Sequence, residues 1–232
     1  MLNGKRVLAV IAARGGSKRL PKKNIRNLCG QPLISWTVDA ALKSKFIDQV
    51  VVNSDSDEIL GIAAGEGVVA DKRDQALATD TASSIDVALD LLKRFDSFDI
   101  LVWLQPTSPL RNERHIDEAL ELLCDTKASS VVSVAKASHP PAWVNVLDES
   151  GGLSRFCSSQ VANKRSQDLG EYYRLNGAIY ISLIDTIKVN KKFVDTTSRA
   201  YIMSDFDSVD IDTLLDFKFA EFLLQDRVHS NA

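Results

Sequence analysis

The chain is poor in the residues that most often announce a metal centre or an activated nucleophile. It has three histidines, three cysteines and two methionines in 232 residues. His115, His139 and His229 stand apart, and no His-x-x-x-His pair occurs, which excludes a zinc site of the helix-borne kind. Cys29, Cys124 and Cys157 are odd in number and widely spaced, so neither a disulfide framework nor a zinc ribbon is expected, and a reducing compartment, the cytoplasm, is. No G-x-S-x-G elbow offers an exposed serine. No apolar run approaches ~18 residues, so no membrane span is expected. The apolar segment near the N-terminus stops at Arg14, too early for a secretory signal. Positive charge is not in excess: the formal net charge of −3 argues against bulk nucleic-acid binding. Repeats and low-complexity tracts are absent.

What is present is an ordinary globular composition, 45% hydrophobic and 25% charged, arranged as alternating strand and helix patterns. Strands are predicted over residues 5–12, 49–53, 68–70, 99–105, 130–135, 178–182 and 200–203. Helices are predicted over 32–45, 55–65, 83–95, 113–124 and 213–224. In the first helix Leu33, Trp36, Val38, Ala41 and Leu42 form the expected apolar face; in the third, Ile85, Ala88, Leu89 and Leu92 do. This alternation predicts an α/β fold, a mostly parallel twisted sheet with helices on both faces. The rhythm changes near Ser138, where short strand-like pieces are broken by Pro140-Pro141 and Gly151-Gly152. Residues 138–172 therefore read as an insertion in a core made of 1–137 and 173–232.

Ligands of such sheets collect at the carboxyl ends of the strands. The first of these loops carries the densest signal. Arg14-Gly15-Gly16-Ser17-Lys18-Arg19-Leu20-Pro21-Lys22-Lys23-Asn24 follows the apolar run Val7–Ile11 and places five cations within ten residues. Glycine lets a backbone approach an anion and present its N–H groups, and this charge density suits a triphosphate. The spacing is neither that of a Walker A loop nor that of the dinucleotide fingerprint. A solvated basic loop is the plainer alternative.

Four further segments carry candidate chemistry. In Asp210-Ile211-Asp212 an extended backbone turns both carboxylates to one side, as a divalent cation would require; Asp212 also reads as the cap of the following helix. Leu104-Gln105-Pro106-Thr107-Ser108-Pro109-Leu110-Arg111 leaves a buried strand, which makes Gln105 a hydrogen-bonding candidate for a sugar or base. Its alternative is a rigid turn with Arg111 on the surface. The stretch Ala78–Ser84 opens a helix with hydroxyls and free N–H groups, and Arg73 just upstream reads either as a contact to a nucleobase or as a surface charge. In Tyr172–Ile181, Arg174 is a candidate for a substrate carboxylate, whereas Asn176-Gly177 reads as a turn. Asp205 and Asp207 read as solvated loop charges.

Taken together and in order, these segments resemble the acylneuraminate cytidylyltransferases, a family that includes legionaminic and pseudaminic acid homologues. The resemblance rests on Ala13–Lys18 with Leu20-Pro21 and Lys23-Asn24, on Asp80–Ser84, on Leu104–Arg111, on Arg174–Tyr180, and on Tyr201–Ser204 leading to Asp207–Thr213. It implies a Rossmann-like nucleotide-diphospho-sugar transferase core, CTP and a nine-carbon α-keto sugar acid as substrates, Mg²⁺ as cofactor, and a homodimer built through residues 138–172. By position, Arg14, Ser17, Lys18, Lys23 and Asn24 would hold the CTP phosphates, and Arg73, Ala82 and Ser84 the cytosine and ribose. Gln105, Arg174 and Tyr180 would contact the sugar acid, and Asp210 and Asp212 the metal. Arg14, Lys18, Lys23 and Asp212 would be the catalytic set. The segment His139–Trp143 lacks a lysine that some family members carry; Lys164 and Arg165 are the nearby substitutes. A 3-deoxy-manno-octulosonate cytidylyltransferase and a non-catalytic nucleotide-binding protein are the competing readings.

Overall fold

The computed structural model describes residues 1–79, 81–156 and 170–230. Asp80, Cys157, Lys164 and Arg165 lie outside the described residues, as does the side chain of His229.

The chain runs β1 (Val7–Ala12), β2 (Asn27–Leu28), β3 (Gln31–Pro32), α1 (Leu33–Lys43), β4 (Gln49–Ser54), α2 (Asp57–Gly65), β5 (Val69–Lys72), α3 (Ser84–Leu91), β6 (Ile100–Leu104), α4 (Glu113–Thr126), β7 (Ser130–Lys136), β8 (Tyr173–Leu183), α5 (Ile184–Asn190), β9 (Arg199–Ile202) and α6 (Leu214–Ser230). The main sheet has the order β5-β4-β1-β6-β8-β7-β9. Its β1–β4, β1–β6, β4–β5 and β7–β9 pairs are parallel; β8 runs antiparallel to both β6 and β7.

The central strands are apolar throughout because both faces are covered. Val7, Ala9 and Ile11 of β1 face one layer, with Ile34, Val38, Ile59 and Ile116 from α1, α2 and α4. The intervening Leu8 and Val10 face the other, with Val87 and Leu91 of α3 and Ile184 and Ile187 of α5. A third cluster seats α6, through Phe217, Ala220, Leu223 and Leu224, on Leu20, Leu28, Leu33, Leu110 and Ile211. Residues from three ligand-edge loops are thus anchored by one helix. Leu101 is fully buried in the second layer. Truncation to alanine there is expected to cost about 2–5 kcal/mol, read as a lower denaturation midpoint with an unchanged denaturant slope.

Several elements differ from the sequence expectation. The longest strand, β8, extends through Asn176-Gly177, which is a kink within the strand and not a turn. The β7–β8 register shifts there, between Val132 and Val134. Asn176 holds the kink: its Oδ1 accepts from Ser133 Oγ at 2.6 Å, and its Nδ2 donates to Ser208 Oγ at 2.9 Å. The two-stranded hairpin β2–β3 and helix α5 were not anticipated; each is short. In α1 the buried set includes Ile34, Thr37 and Ala40, while Leu42 is exposed and Pro32 precedes the helix. Helix α3 ends at Leu91, four residues early, and buries Val87, Ala88 and Leu91. The described part of 138–172 holds no strand; it contains 3-10 turns at Pro141–Trp143 and Ser154–Phe156. It leaves the sheet where Lys136 pairs with Tyr173 and Ala137 N–H donates to the Tyr172 carbonyl at 2.8 Å.

Candidate active site

Strand order reverses beside β1, whose successors β4 and β5 lie on one flank and β6 on the other. A crevice opens at such a point, beyond the carboxyl ends of the strands. Here it is a cleft of about 460 Å³ lined by Arg14, Ser17, Lys18, Arg19, Lys23, Asn24, Arg73, Ala82, Ser84, Gln105 and Asp212, among others.

The basic loop after β1 is folded by its own polar contacts. Asn24 is buried and donates through Nδ2 to the Arg14 carbonyl at 3.0 Å, pinning the two ends of the loop together. Gly15 N–H is taken by Asp55 Oδ1 at 2.9 Å, and a side chain at Gly15 would meet Ser56 Cβ at 2.9 Å. Gly15 is therefore required by the packing of the turn after β4 and does not present its N–H to the cleft. The cations divide. Arg14, Lys18, Arg19 and Lys23 line the cleft. Lys22, in a left-handed conformation, turns away to pair with Glu58 at 2.9 Å.

At the far wall Arg73 is buried. Its Nε donates to Asn53 Oδ1 at 2.6 Å and its Nη2 to the Asn53 carbonyl at 2.9 Å, so the end of β4 fixes the guanidinium. Burial lowers its proton affinity, partly offset by Asp55 and Asp71. The surface-charge alternative for Arg73 is thereby excluded. Ser83 caps α3 by accepting from Asp86 N–H at 3.2 Å, which leaves Ala82 and Ser84 at the cleft edge.

The segment before α6 forms the third wall. Ile211 is fully buried and its N–H donates to the Thr107 carbonyl at 2.9 Å, fixing the flanking aspartates relative to the Gln105 loop. The helix cap is Thr213, not Asp212. Thr213 Oγ1 accepts from Asp216 N–H, while Asp216 Oδ2 accepts from the N–H groups of Thr213 and Asp212. Asp212 is free of capping duty and instead accepts from Arg19 Nη1 at 2.9 Å and Lys23 Nζ at 3.2 Å. Burial raises the Asp210 carboxyl above the usual range; a Thr107 hydrogen bond opposes the rise, and the charge of Asp212 adds to it. Among the described residues no group of three or more His, Cys, Asp or Glu side chains could hold a metal ion. Two carboxylates completed by substrate phosphate oxygens are the donor set Mg²⁺ takes, and Asp210 with Asp212 fit that description.

Not every expected residue shares the cleft. Asp210 and Arg174 line an adjoining cavity of about 400 Å³ with Phe206, Asp216 and Phe219. Tyr180 lines neither; its ring lies 5.5 Å from that of Phe193, which also packs on Trp103 at 5.6 Å. Burial raises the Tyr180 hydroxyl, as does Asp210 nearby. Thr107 was missed by sequence reasoning, since nothing in a Pro-Thr-Ser-Pro loop marks which hydroxyl points at a carboxylate.

Two bland expectations are corrected. Arg111 is buried at the loop's end, where its Nη2 donates to Thr37 Oγ1 at 2.6 Å and to the Gln105 carbonyl at 3.3 Å. Asp207 is not a solvated charge. It accepts from Arg227 and from Ser204 Oγ, and lies 3.5 Å from His115 Nε2. Burial pushes its carboxyl up, but His115, Ser204 and Arg227 outweigh burial and hold it well below the usual range. A depressed folded-state pKa stabilises fully above the unfolded value, about 4, and this stabilisation is lost as pH falls below it. Asp207→Asn is therefore expected to show a lower Tm at pH 7 and a shallower loss of Tm from pH 5 to pH 3. Parallel acid limbs in the two proteins would contradict the assignment.

A doubly wound α/β sheet whose switch-point cleft carries clustered cations beside the Asp212 carboxylate is the architecture of a nucleotide-binding α/β protein. The chain belongs to the cytidylyltransferase family, which residues 8–232 match. It is 40% identical to the CMP-N,N'-diacetyllegionaminic acid synthase of Legionella pneumophila over 95% of its own length and 97% of that protein's. It is 36% identical to the N-acylneuraminate cytidylyltransferase of Escherichia coli over 93% of its length, but spans about half of that longer protein (51%). In fold it is similar to the CMP:2-keto-3-deoxy-manno-octonic acid synthetase solved with CTP, with a TM-score of 0.74, 20% identity, and 96% and 99% of the two chains covered.

Proposed function

We propose that this enzyme transfers the cytidylyl group of CTP to the anomeric hydroxyl of a nine-carbon α-keto sugar acid of the sialic or legionaminic type, releasing pyrophosphate. The observation that carries the reading is the cleft itself, with Arg14, Lys18 and Lys23 gathered on one side and the buried Arg73 on another. The relatives named for diacetyllegionaminic and N-acylneuraminic acids support this substrate class.

In this reading Arg14, Ser17, Lys18, Lys23 and Asn24 hold the triphosphate, and Arg73, Ala82 and Ser84 form the cytosine and ribose pocket. Gln105 and Arg174 contact the sugar acid. Its hydroxyl oxygen attacks the α-phosphorus in line. A new P–O bond forms, the bond to the β-phosphate oxygen breaks, and the hydroxyl proton passes to an aspartate of the 210–212 pair. Catalysis is positioning and charge stabilisation, with no covalent enzyme intermediate. Lys18 and Lys23 neutralise the leaving pyrophosphate. Asp210 and Asp212 would hold Mg²⁺, which when bound supplies charge neutralisation at the α-phosphate.

The reading extends to a cytoplasmic homodimer. Among the described residues no helix is long and apolar enough to cross a membrane. The insertion exposes Trp143, Val144, Val146, Leu147 and Leu153, apolar surface that supports self-association. The test is pyrophosphate release from CTP and Mg²⁺ with N-acetylneuraminic, diacetyllegionaminic, pseudaminic and 3-deoxy-manno-octulosonic acids. Turnover confined to one or more nine-carbon acids is expected. Turnover with the eight-carbon acid alone, or with none while CTP binds, would overturn the reading.

A further inference from the structure

Gly177 sits at the kink of β8 with φ +78°, a conformation that side chains rarely adopt. That alone would account for a glycine. The space around it makes a second demand. A Cβ at this position would lie 2.8 Å from Gln105 Oε1, 3.5 Å from Gln105 Cδ and 3.8 Å from Asp210 Oδ2. Gln105 belongs to the large cleft and Asp210 to the cavity beside it. The two side chains thus approach each other across the face of one residue that has no side chain.

We propose that Gly177 is a positioning residue, whose missing side chain lets the Gln105 amide lie against the β8 backbone beside Asp210. The neighbouring groups are fixed. Asn176 is buried and bound to Ser133, Ser208 and the Ala178 N–H. The Gln105 carbonyl is held by Arg111, and Ile211 N–H is held by Thr107. An added methyl therefore has one inexpensive way out, which is to drive the flexible end of Gln105 off the strand. Any substrate group that Gln105 receives loses its contact, which in the present reading is the sugar acid.

The test is a two-by-two set of variants: wild type, Gly177→Ala, Gln105→Ala and the double variant, each with CTP, Mg²⁺ and the nine-carbon acid that the wild type turns over best. Gly177→Ala is expected to raise KM for the acid on the order of 10- to 100-fold, with KM for CTP within about twofold. In the Gln105→Ala background the same change should have little further effect, because the clash has gone while the backbone strain remains. Equal effects of Gly177→Ala in both backgrounds would overturn the positioning role and leave only the backbone demand. Asparagine tolerates positive φ better than alanine yet carries the same Cβ. Gly177→Asn thus gives the same comparison should Gly177→Ala fold poorly. A non-additive effect that falls on KM for CTP would keep Gly177 as positioning residue and overturn the assignment of Gln105 to the sugar acid.

Discussion

Asp212→Ala is expected to lower kcat by at least ~10³-fold at saturating Mg²⁺, with the protein still folded. The two halves of this expectation have separate causes. Stability is spared because the helix that follows is capped by Thr213 and Asp216, and Asp212 contributes only its N–H to that cap. Its carboxylate pairs with Arg19 and Lys23, but about half of that side chain is exposed, and pairs of this kind contribute roughly 0–1 kcal/mol. Turnover is lost because the carboxylate is, among the described residues, the acidic group that shares the cleft with the cations of the first loop. Removing it deletes a candidate metal ligand and proton acceptor together. CTP affinity should be unchanged or tighter, since Arg19 and Lys23 lose a competing anion. Asp212→Asn, which keeps the shape, should be as inactive as the alanine variant if charge is what matters. Activity within tenfold of wild type for either variant, measured as pyrophosphate release, would sink the assignment.

The parts of the fold legible in the sequence are those in which one physical demand dominates. Val7–Ile11 and Ile100–Leu104 must be covered on both faces, so they are continuous apolar runs and read as central strands. The helix predicted over 113–124 is found as α4, and the structure adds its cap, Asn112, which accepts from the His115 N–H. Strand β8 is obscured because two demands meet in it. Its first residues, Tyr173, Arg174 and Leu175, are exposed, and its kink uses Asn176-Gly177, the pair that elsewhere makes a turn. What fixes the kink is the hydroxyl of Ser133, 43 residues away in sequence. The site divides the same way. Five segments could be marked in the sequence, and the cleft gathers residues from four of them, the stretch 172–181 contributing none. Burial and direction within a loop could not be read. Arg111 looks like any surface arginine until α1 and the Gln105 carbonyl enclose it. Asp207 looks solvated until Arg227, 20 residues on, folds back to it. Lys22 and Lys23 are chemically identical neighbours, yet a single left-handed residue sends them to opposite sides.

That pair gives the second large expectation. Lys23 Nζ donates to the Ile211 carbonyl at 2.6 Å and to Asp212 Oδ1 at 3.2 Å, and its side chain is only 13% exposed. It ties the loop after β1 to the segment before α6, and it lines the cleft where the triphosphate is proposed to bind. Lys23→Met removes both functions while keeping the apolar stem. KM for CTP should rise and kcat fall, together lowering kcat/KM by ~10²–10³-fold, the loss typical of a charge aimed at a developing anion. Stability should fall by about 1–3 kcal/mol, because the buried Ile211 carbonyl loses a charged donor. Lys23→Arg retains the charge but not the compact donor that fits between Ile211 and Asp212, so it should recover CTP binding better than rate. Lys22→Met is the matched control: its ammonium pairs with Glu58 on the outside, with both side chains largely exposed, and kcat/KM should stay within about twofold of wild type. The contrast between adjacent lysines separates a general loss of positive charge from the loss of one directed cation. Equal losses at positions 22 and 23 would mean that the loop acts as a diffuse basic surface, and the assignment of Lys23 to the phosphates would fall.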